Sequence, residues 1–431
     1  MSEMKDSGIE WIGEIPKGWK VSRIKQLFSE VNDRCENGEN YTLLSVSEYY
    51  GVAPKSERIS DDDMLTHAET LDGYKICNEN DLVMNIMLAW KRALGVSEYT
   101  GIVSPAYCIY RGKQNMCAKY FHYLFRTDVY ANLFKQYSTG IIDSRLRLYP
   151  DKFLSLKCQV PPLGVQRRIA DYLDRKCSQI DAIIARQQEV IEKLKTYKLS
   201  VITEAVTKGL NPDVPMKDSG VEWIGEIPEH WTVSVLRYGL DNIQTGPFGS
   251  QLHAEDYIED GIFVINPANI VEGCIVPDNR CSVTESKAQE LSRHILDKGD
   301  IVFARRGEMG RCACFSGCSK QYLCGTGCIK IRCNANLMPE FISWFLQTSC
   351  VKQYLTLNSV GTTMANLNTT IISGIPVVYP PMSEQERIVK YIKNKIYEID
   401  DALKNKLSIV DKFTEYKKSL IYEVVTGKKE V

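Results

Sequence analysis

No stretch of this 431-residue chain is apolar for long enough to cross a bilayer, which takes about 20 residues; typical runs are as short as Ile301-Val302-Phe303-Ala304. The opening Met1-Ser2-Glu3-Met4-Lys5-Asp6 has no apolar core of a signal peptide, so a cytoplasmic protein without a membrane partner is expected. Neither sign of charge dominates: 53 Lys and Arg against 54 Asp and Glu leave a net charge of −1. That balance carries no signature of a polyanion-binding protein, although a DNA reader needs a basic face and not a basic total. Histidine is scarce, and His67, His122, His230, His253 and His294 show no ligand spacing.

Signatures of catalysis are missing as well. Pro277-Asp278 followed by Glu285-Ser286-Lys287 mimics the carboxylates and lysine of a metal-dependent nuclease, but the pattern is loose enough to arise by chance. Asn266-Pro267-Ala268-Asn269 lacks the second proline and the aromatic of an amino-methyltransferase motif. Gly325-Thr326-Gly327 and Gly307-Glu308-Met309-Gly310 lack the Lys-Ser/Thr of a phosphate loop. Cysteine, by contrast, is plentiful, at 15 residues. An odd count in a long chain with no secretion signal reads as reduced thiols. Within 312–333 only Cys314/Cys318 and Cys324/Cys328 have the pair spacing of a zinc site, and the gap between the pairs is short. Buried thiols on strands, with no metal, are expected there.

What the chain does have is itself, twice. Residues 4–22, MKDSGIEWIGEIPKGWKVS, return as 216–234, MKDSGVEWIGEIPEHWTVS, at an offset of 212. Pro161-Pro162-Leu163-Gly164-Val165-Gln166-Arg167-Arg168-Ile169 returns as Pro380-Pro381-Met382-Ser383-Glu384-Gln385-Glu386-Arg387-Ile388, at an offset of 219. Between the matched ends, 25–135 and 240–355 share no run that aligns by eye. Drift alone would erode frame and middle alike, so the middles read as two versions of one job.

After each Pro-Pro the apolar residues recur every three or four positions, predicting helices over 165–208 and 384–426 with a coiled-coil seam. Ile180, Ile184, Gln187 and Ile191 lie on the first seam, and Ile399, Leu403, Lys406 and Val410 on the second. Lys198 and Lys417 are further polar seam positions. If the helices pair antiparallel, Gln187 and Lys406 should meet near the crossing and fix the register. A helix of about 44 residues is roughly 65 Å long, close to two turns of B-DNA at about 34 Å each. A plain dimerisation coiled coil is the simpler reading, but a helix after each globular insert favours a spacer between two heads.

At this point the motifs W-I-G-E-I-P-x-x-W and P-P-x-x-x-Q-x-R-I, with Gly101-Ile102-Val103-Ser104-Pro105-Ala106-Tyr107 and Thr245-Gly246-Pro247-Phe248-Gly249-Ser250 in the inserts, resemble the specificity subunits of Type I restriction–modification enzymes. The resemblance runs over nearly the whole chain. It implies an α/β architecture of two small target recognition domains in tandem, each followed by a long helix, the helices forming an antiparallel, pseudo-two-fold coiled coil. The corresponding segments are 1–160, 161–210, 211–379 and 380–431. It further implies a non-catalytic subunit that reads an asymmetric bipartite site in double-stranded DNA and scaffolds two modification subunits and the restriction subunits. S-adenosylmethionine, ATP and magnesium would then sit on those partners. One departure is visible: Val165 stands where the family usually has the Glu of a Glu-Gln pair, which Glu384-Gln385 retains.

Affinity for DNA needs Lys and Arg on phosphates, and reading needs forked donors and amides at base edges. Lys91 and Arg92 after Trp90, and Ser138, Arg145 and Arg147 around the loop 138–147, are the first insert's candidates. Arg305 and Arg306, in a glycine-flanked turn after an apolar strand, and Ser359, Thr362, Thr363, Asn366 and Asn368 are the second's. Any one of them is as readily a solvated surface group. The rival functions are a tandem coiled-coil adaptor whose heads bind proteins and a self-contained DNA-modifying enzyme.

Overall fold

A computed structural model describes residues 3–57, 71–317, 320–358 and 367–431. It divides into two compact units, one comprising Met1–Gln188 with Leu407–Val431 and the other Glu189–Lys406.

The first unit is built on a sheet of β1 (Phe28–Val31), β2 (Leu82–Asn85), β3 (Leu94–Val96) and β4 (Tyr107–Gly112), in the order β1-β4-β2-β3 and antiparallel throughout. Helices α1 (Ala118–Phe125) and α2 (Asp128–Tyr137) follow, and then the long α3 (Leu163–Lys208). The second unit repeats the plan. Strands β5 (Leu240–Thr245), β6 (Ile301–Ala304), β7 (Cys312–Cys314) and β8 (Cys328–Cys333) pair in the order β5-β8-β6-β7, again antiparallel. Helices α4 (Pro339–Leu346) and α5 (Ser349–Asn358) follow, and then the long α6 (Met382–Val425).

The inserts that defied alignment therefore share one scaffold. Its core is aromatic in the first unit, where Phe28, Tyr110, Tyr120, Phe121, Phe125, Phe134 and Phe153 are fully buried. In the second it is largely aliphatic, with Ile301, Ile329, Ile331, Ile342 and Leu346 buried around Phe341 and Phe345. Cores tolerate such exchange when volume and pattern are kept, so side-chain identity is a poor guide to the shared backbone.

Polar anchors are duplicated where apolar ones are not. Asp81, just before β2, is buried and takes two hydrogen bonds from Arg111 on β4, at 3.0 and 2.9 Å. Asp300, just before β6, is buried and takes two from Arg332 on β8, at 2.7 and 2.8 Å. The motif glutamines at the helix starts are equally structural. Buried Gln166 accepts from Cys117 N at 2.9 Å and donates to Pro161 O at 2.8 Å. Gln385 accepts from Met338 N at 2.7 Å and donates to Asn336 O and Pro380 O, both at 2.9 Å. Each glutamine staples its long helix to the strand–helix connection of the insert. Glu384, the carboxylate replaced by Val165 in the first half, bonds His230 at 2.8 Å and Trp231 at 3.3 Å.

Within each unit a stretch of α3 packs against a stretch of α6, running antiparallel. In the first, Lys417 meets Asp181 at 2.7 Å, and Val424 and Val425 share a core with Ile169 and Leu173. In the second, Lys198 meets Asp400 at 2.6 Å, and a Cβ at Gly209 would lie 3.4 Å from Glu384. Two of the seam lysines, Lys198 and Lys417, thus find acidic partners. Such part-exposed pairs contribute only about 0.2–1 kcal/mol each, so they select direction more than they add stability. Of the other seam positions, Ile180, Ile191 and Ile399 are buried, while Ile184, Gln187, Leu403, Lys406 and Val410 are partly so.

Each unit closes with the other half's helix end. The repeated Trp231 packs at Gly209, just past α3, while its counterpart Trp19 packs at Gly427, just past α6.

The cysteines at 312–333 lie mostly on strands, with Cys312, Cys324 and Cys328 buried. Burial pushes the thiols of Cys312, Cys314, Cys324 and Cys333 up to about 12. Cys318 lies outside the described residues. Among the described residues no helix is long and apolar enough to cross a membrane.

Candidate nucleic-acid interface

In each unit the chain leaves the second central strand in a tight turn, and a later loop returns beside that turn. After β2 the turn runs through a short 3₁₀ segment, Ala89–Lys91. Asn85 Oδ1 accepts from Met87 N at 3.1 Å, and Trp90 Nε1 donates to Met87 O at 3.1 Å, which fixes the indole. Lys91 Nζ lies 5.3 Å from the indole centroid, and Lys135 Nζ from α2 lies 4.8 Å from it. The loop 138–147 comes back to this turn through Leu148 N to Ile86 O, at 2.8 Å.

That loop is closed by a two-bond bridge between Thr139 and Arg147, at 2.9 and 3.0 Å. A Cβ at Gly140 would sit 2.6 Å from Arg145 O, so only glycine permits the closure. Leu146 and Leu148 point into the core, which leaves Arg145 and Arg147 exposed. The cations of this region therefore separate into two groups. Arg92 has a left-handed backbone (φ 67°) and pairs with Asp128, and Lys135 pairs with Asp143 at 2.8 Å. Lys91, Arg145 and Arg147 have no acidic partner among the described residues. The Ser138 hydroxyl donates to Phe134 O at 2.7 Å, finishing α2.

Behind the turn, Arg126 from α1 is the positioning group. Its guanidinium donates to the carbonyls of Arg92 and Leu94, each at 2.7 Å, and to those of Ser47, Glu48 and Tyr49 on a neighbouring hairpin. One side chain thus holds two loops in place. Burial pulls its pKa down to about 10. Beside it His122 Nδ1 accepts from Val96 N at 3.2 Å. Burial first, then Arg126, Lys119 and Lys417, hold the imidazole neutral, with its pKa down to about 3. In the unfolded chain the ring charges below about pH 6.5. The native contribution is thus complete above that value and is lost as pH falls toward 3. Between pH 7 and pH 5 the ring should cost the fold about 1–2 kcal/mol, given its partial exposure. Urea midpoints at both values measure this, and His122→Gln, which can still accept from Val96, should flatten that part of the profile. An unchanged pH dependence in the variant would refute the assignment.

In the second unit the turn is Arg305–Arg311. Leu367 N donates to Arg305 O and Arg305 Nε donates to Leu367 O, both at 3.0 Å. These bonds are the counterpart of Leu148 to Ile86. Arg306 is exposed and has no acidic partner among the described residues. Glu308 takes up Lys352 at 2.9 Å and Arg311 at 3.4 Å. Asn368 Oδ1 is used as a helix cap, accepting from Ile371 N at 2.8 Å. Ser359, Thr362, Thr363 and Asn366 lie outside the described residues. In the motif Thr245–Ser250 a Cβ at Gly246 would fall 1.9 Å from Gly325 O, so the glycine allows two loops to touch.

Two members of the nuclease-like set are otherwise engaged, Asp278 with Arg280 at 2.9 Å and Lys287 with Asp256 at 3.4 Å. Sequence reasoning missed Lys135, the platform that Trp90 forms beneath two lysines, and the exposure of Ile141 and Ile142. The Asp81-Leu82-Val83 and Asp300-Ile301-Val302 match, at the same offset of 219 as the helix motifs, would have aligned the inserts.

The family described as "Type I restriction modification DNA specificity domain" matches residues 249–408. The Type I restriction enzyme MjaVIII specificity subunit of Methanocaldococcus jannaschii is 24% identical, over 96% of this chain and 93% of its own. The EcoKI specificity subunit of Escherichia coli K12 is also 24% identical, over 94% and 88%. Among solved structures, a chain from a study of complex assembly and conformational transition of the type I R-M system has TM-score 0.71, with 14% identity, covering 95% of this chain and 98% of that one. The HsdS subunit from Thermoanaerobacter tengcongensis gives 0.53, with 15% identity, 96% and 98%.

Proposed function

As this chain is a member of the Type I restriction–modification specificity-subunit family, we propose that it reads an asymmetric, bipartite DNA sequence without chemistry of its own. One observation carries the proposal: a single antiparallel scaffold occurs twice, presenting at the same place a turn and a loop of different sequence. A shared frame with unlike reading edges suits two unlike half-sites. In the first unit Lys91, Arg145 and Arg147 are the groups for phosphates or base edges; in the second they are Arg306 and the free nitrogens of Arg305.

Two modification subunits holding S-adenosylmethionine and methylating adenine, and restriction subunits using ATP and magnesium, complete the activity in this reading. The names of the relatives MjaVIII, EcoKI and MjaX, specificity subunits of Type I restriction enzymes, support membership of a restriction-enzyme assembly. The two long helices act as the spacer that sets the unread gap, and a cytoplasmic location follows from the DNA target.

Selection from random-sequence duplex, with the full chain alone and with a modification subunit, tests the function. Two short blocks at a fixed gap are expected, whereas an adaptor for proteins would select none. A matched seven-residue insertion in each long helix adds about 10 Å, or about three base pairs at 3.4 Å each. The gap should lengthen while both blocks stay the same. A changed block would count against the spacer.

A further inference from the structure

Ile141 is 100% exposed and Ile142 is 53% exposed, at the tip of the loop that carries Arg145 and Arg147. The loop is not a loose surface segment. The Thr139–Arg147 bridge closes its base, the Lys135–Asp143 pair braces one side, and Gly140 packs against Arg145 O. A β-branched pair held in water at a fixed position gains nothing from folding, since burial is what apolar side chains contribute. Its neighbours indicate the partner. Three cations without acidic partners among the described residues, Arg145 and Arg147 on the same loop and Lys91 on the turn to which that loop returns, supply the charge a phosphate backbone requires. Arginine forks match guanine O6 and N7 in the major groove, and the apolar feature on base edges there is the C5-methyl of thymine.

We propose that Ile141, flanked by Ile142, contacts a thymine methyl in the major groove of the block read by the first unit, and so helps determine its sequence. This rests on the DNA-reading function proposed above.

The test is selection by the full chain from two random duplex pools, one built with thymine and one with deoxyuracil, which lacks only that methyl. For the native chain, at least one thymine position in the first block should be preferred about fourfold less strongly in the uracil pool. With Ile141→Ala the first block should be the same from both pools. The second block, identical in variant and native chain within each pool, reports that the variant folds and binds. Equal first blocks from both pools with the native chain would overturn the proposal, and would be the result if the tip wedged between base pairs or touched a protein. So would a variant that keeps the methyl preference. Failure to select any block from either pool would instead remove the DNA-reading function itself.

Discussion

Replacing Arg145 and Arg147 together with alanine lowers affinity for the selected duplex by about 100-fold or more, with no loss of fold stability. Both guanidiniums are exposed and have no acidic partner among the described residues, so their removal leaves no buried group stranded. A bidentate arginine contact to a base is worth about 1–3 kcal/mol of discrimination, and a phosphate contact adds to salt-dependent affinity. The two roles separate in the measurement. Titrations at several salt concentrations show a slope smaller by about two if both side chains sit on phosphates. Relaxed preference confined to the first block marks base reading. Affinity within threefold of the native chain would mean that the loop 138–147 is not at the interface.

The second large effect is on stability. Arg332→Met leaves the buried Asp300 carboxylate with the Asp297 N–H, at 2.8 Å, as its remaining hydrogen-bond donor among the described residues. Breaking a buried pair from one side costs about 3–5 kcal/mol, because the charge left behind is uncompensated. Partial exposure of Arg332 places this case at the lower end. Urea unfolding followed by tryptophan fluorescence measures the loss, and Trp223, Trp231 and Trp344 all belong to the affected unit. Adding Asp300→Leu should return most of it, since an apolar pair of similar size removes the stranded charge. If the double variant is as unstable as the single one, the carboxylate is not the cause.

The frame was legible in the sequence because its residues are constrained individually. Trp19 and Trp231 each pack on a glycine, and Gln166 and Gln385 each satisfy backbone groups at a helix start. Such roles depend on the particular side chain, and the repeat survives there. The helices were legible through their period: α3 begins at Leu163 and ends at Lys208, and α6 spans Met382–Val425, each within two residues of expectation. The sheet in the inserts was not, because aromatic and aliphatic residues fill the same space and only the Asp–Arg anchors repeat.

Candidate interface residues were legible as types but not as neighbours. That Lys135 would stand over Trp90, or that Asp128 and Asp143 would claim two of the cations, depends on tertiary approach. Ser138 and Asn368 have the side chains of base readers, yet each satisfies the end of a helix, a local role that sequence alone does not separate from recognition. That Ile141 and Ile142 stand exposed at a loop tip is likewise a tertiary fact, since an apolar pair in a loop reads the same whether or not the fold covers it.

The central claim is that two units of one design read two different blocks independently. It is tested most directly by sequence selection with the native chain, with Arg145→Ala/Arg147→Ala, and with Arg306→Ala. The account predicts that the first variant degrades one block and the second variant degrades the other, with the gap unchanged in both. A single block, or both blocks degraded together by either variant, would contradict it.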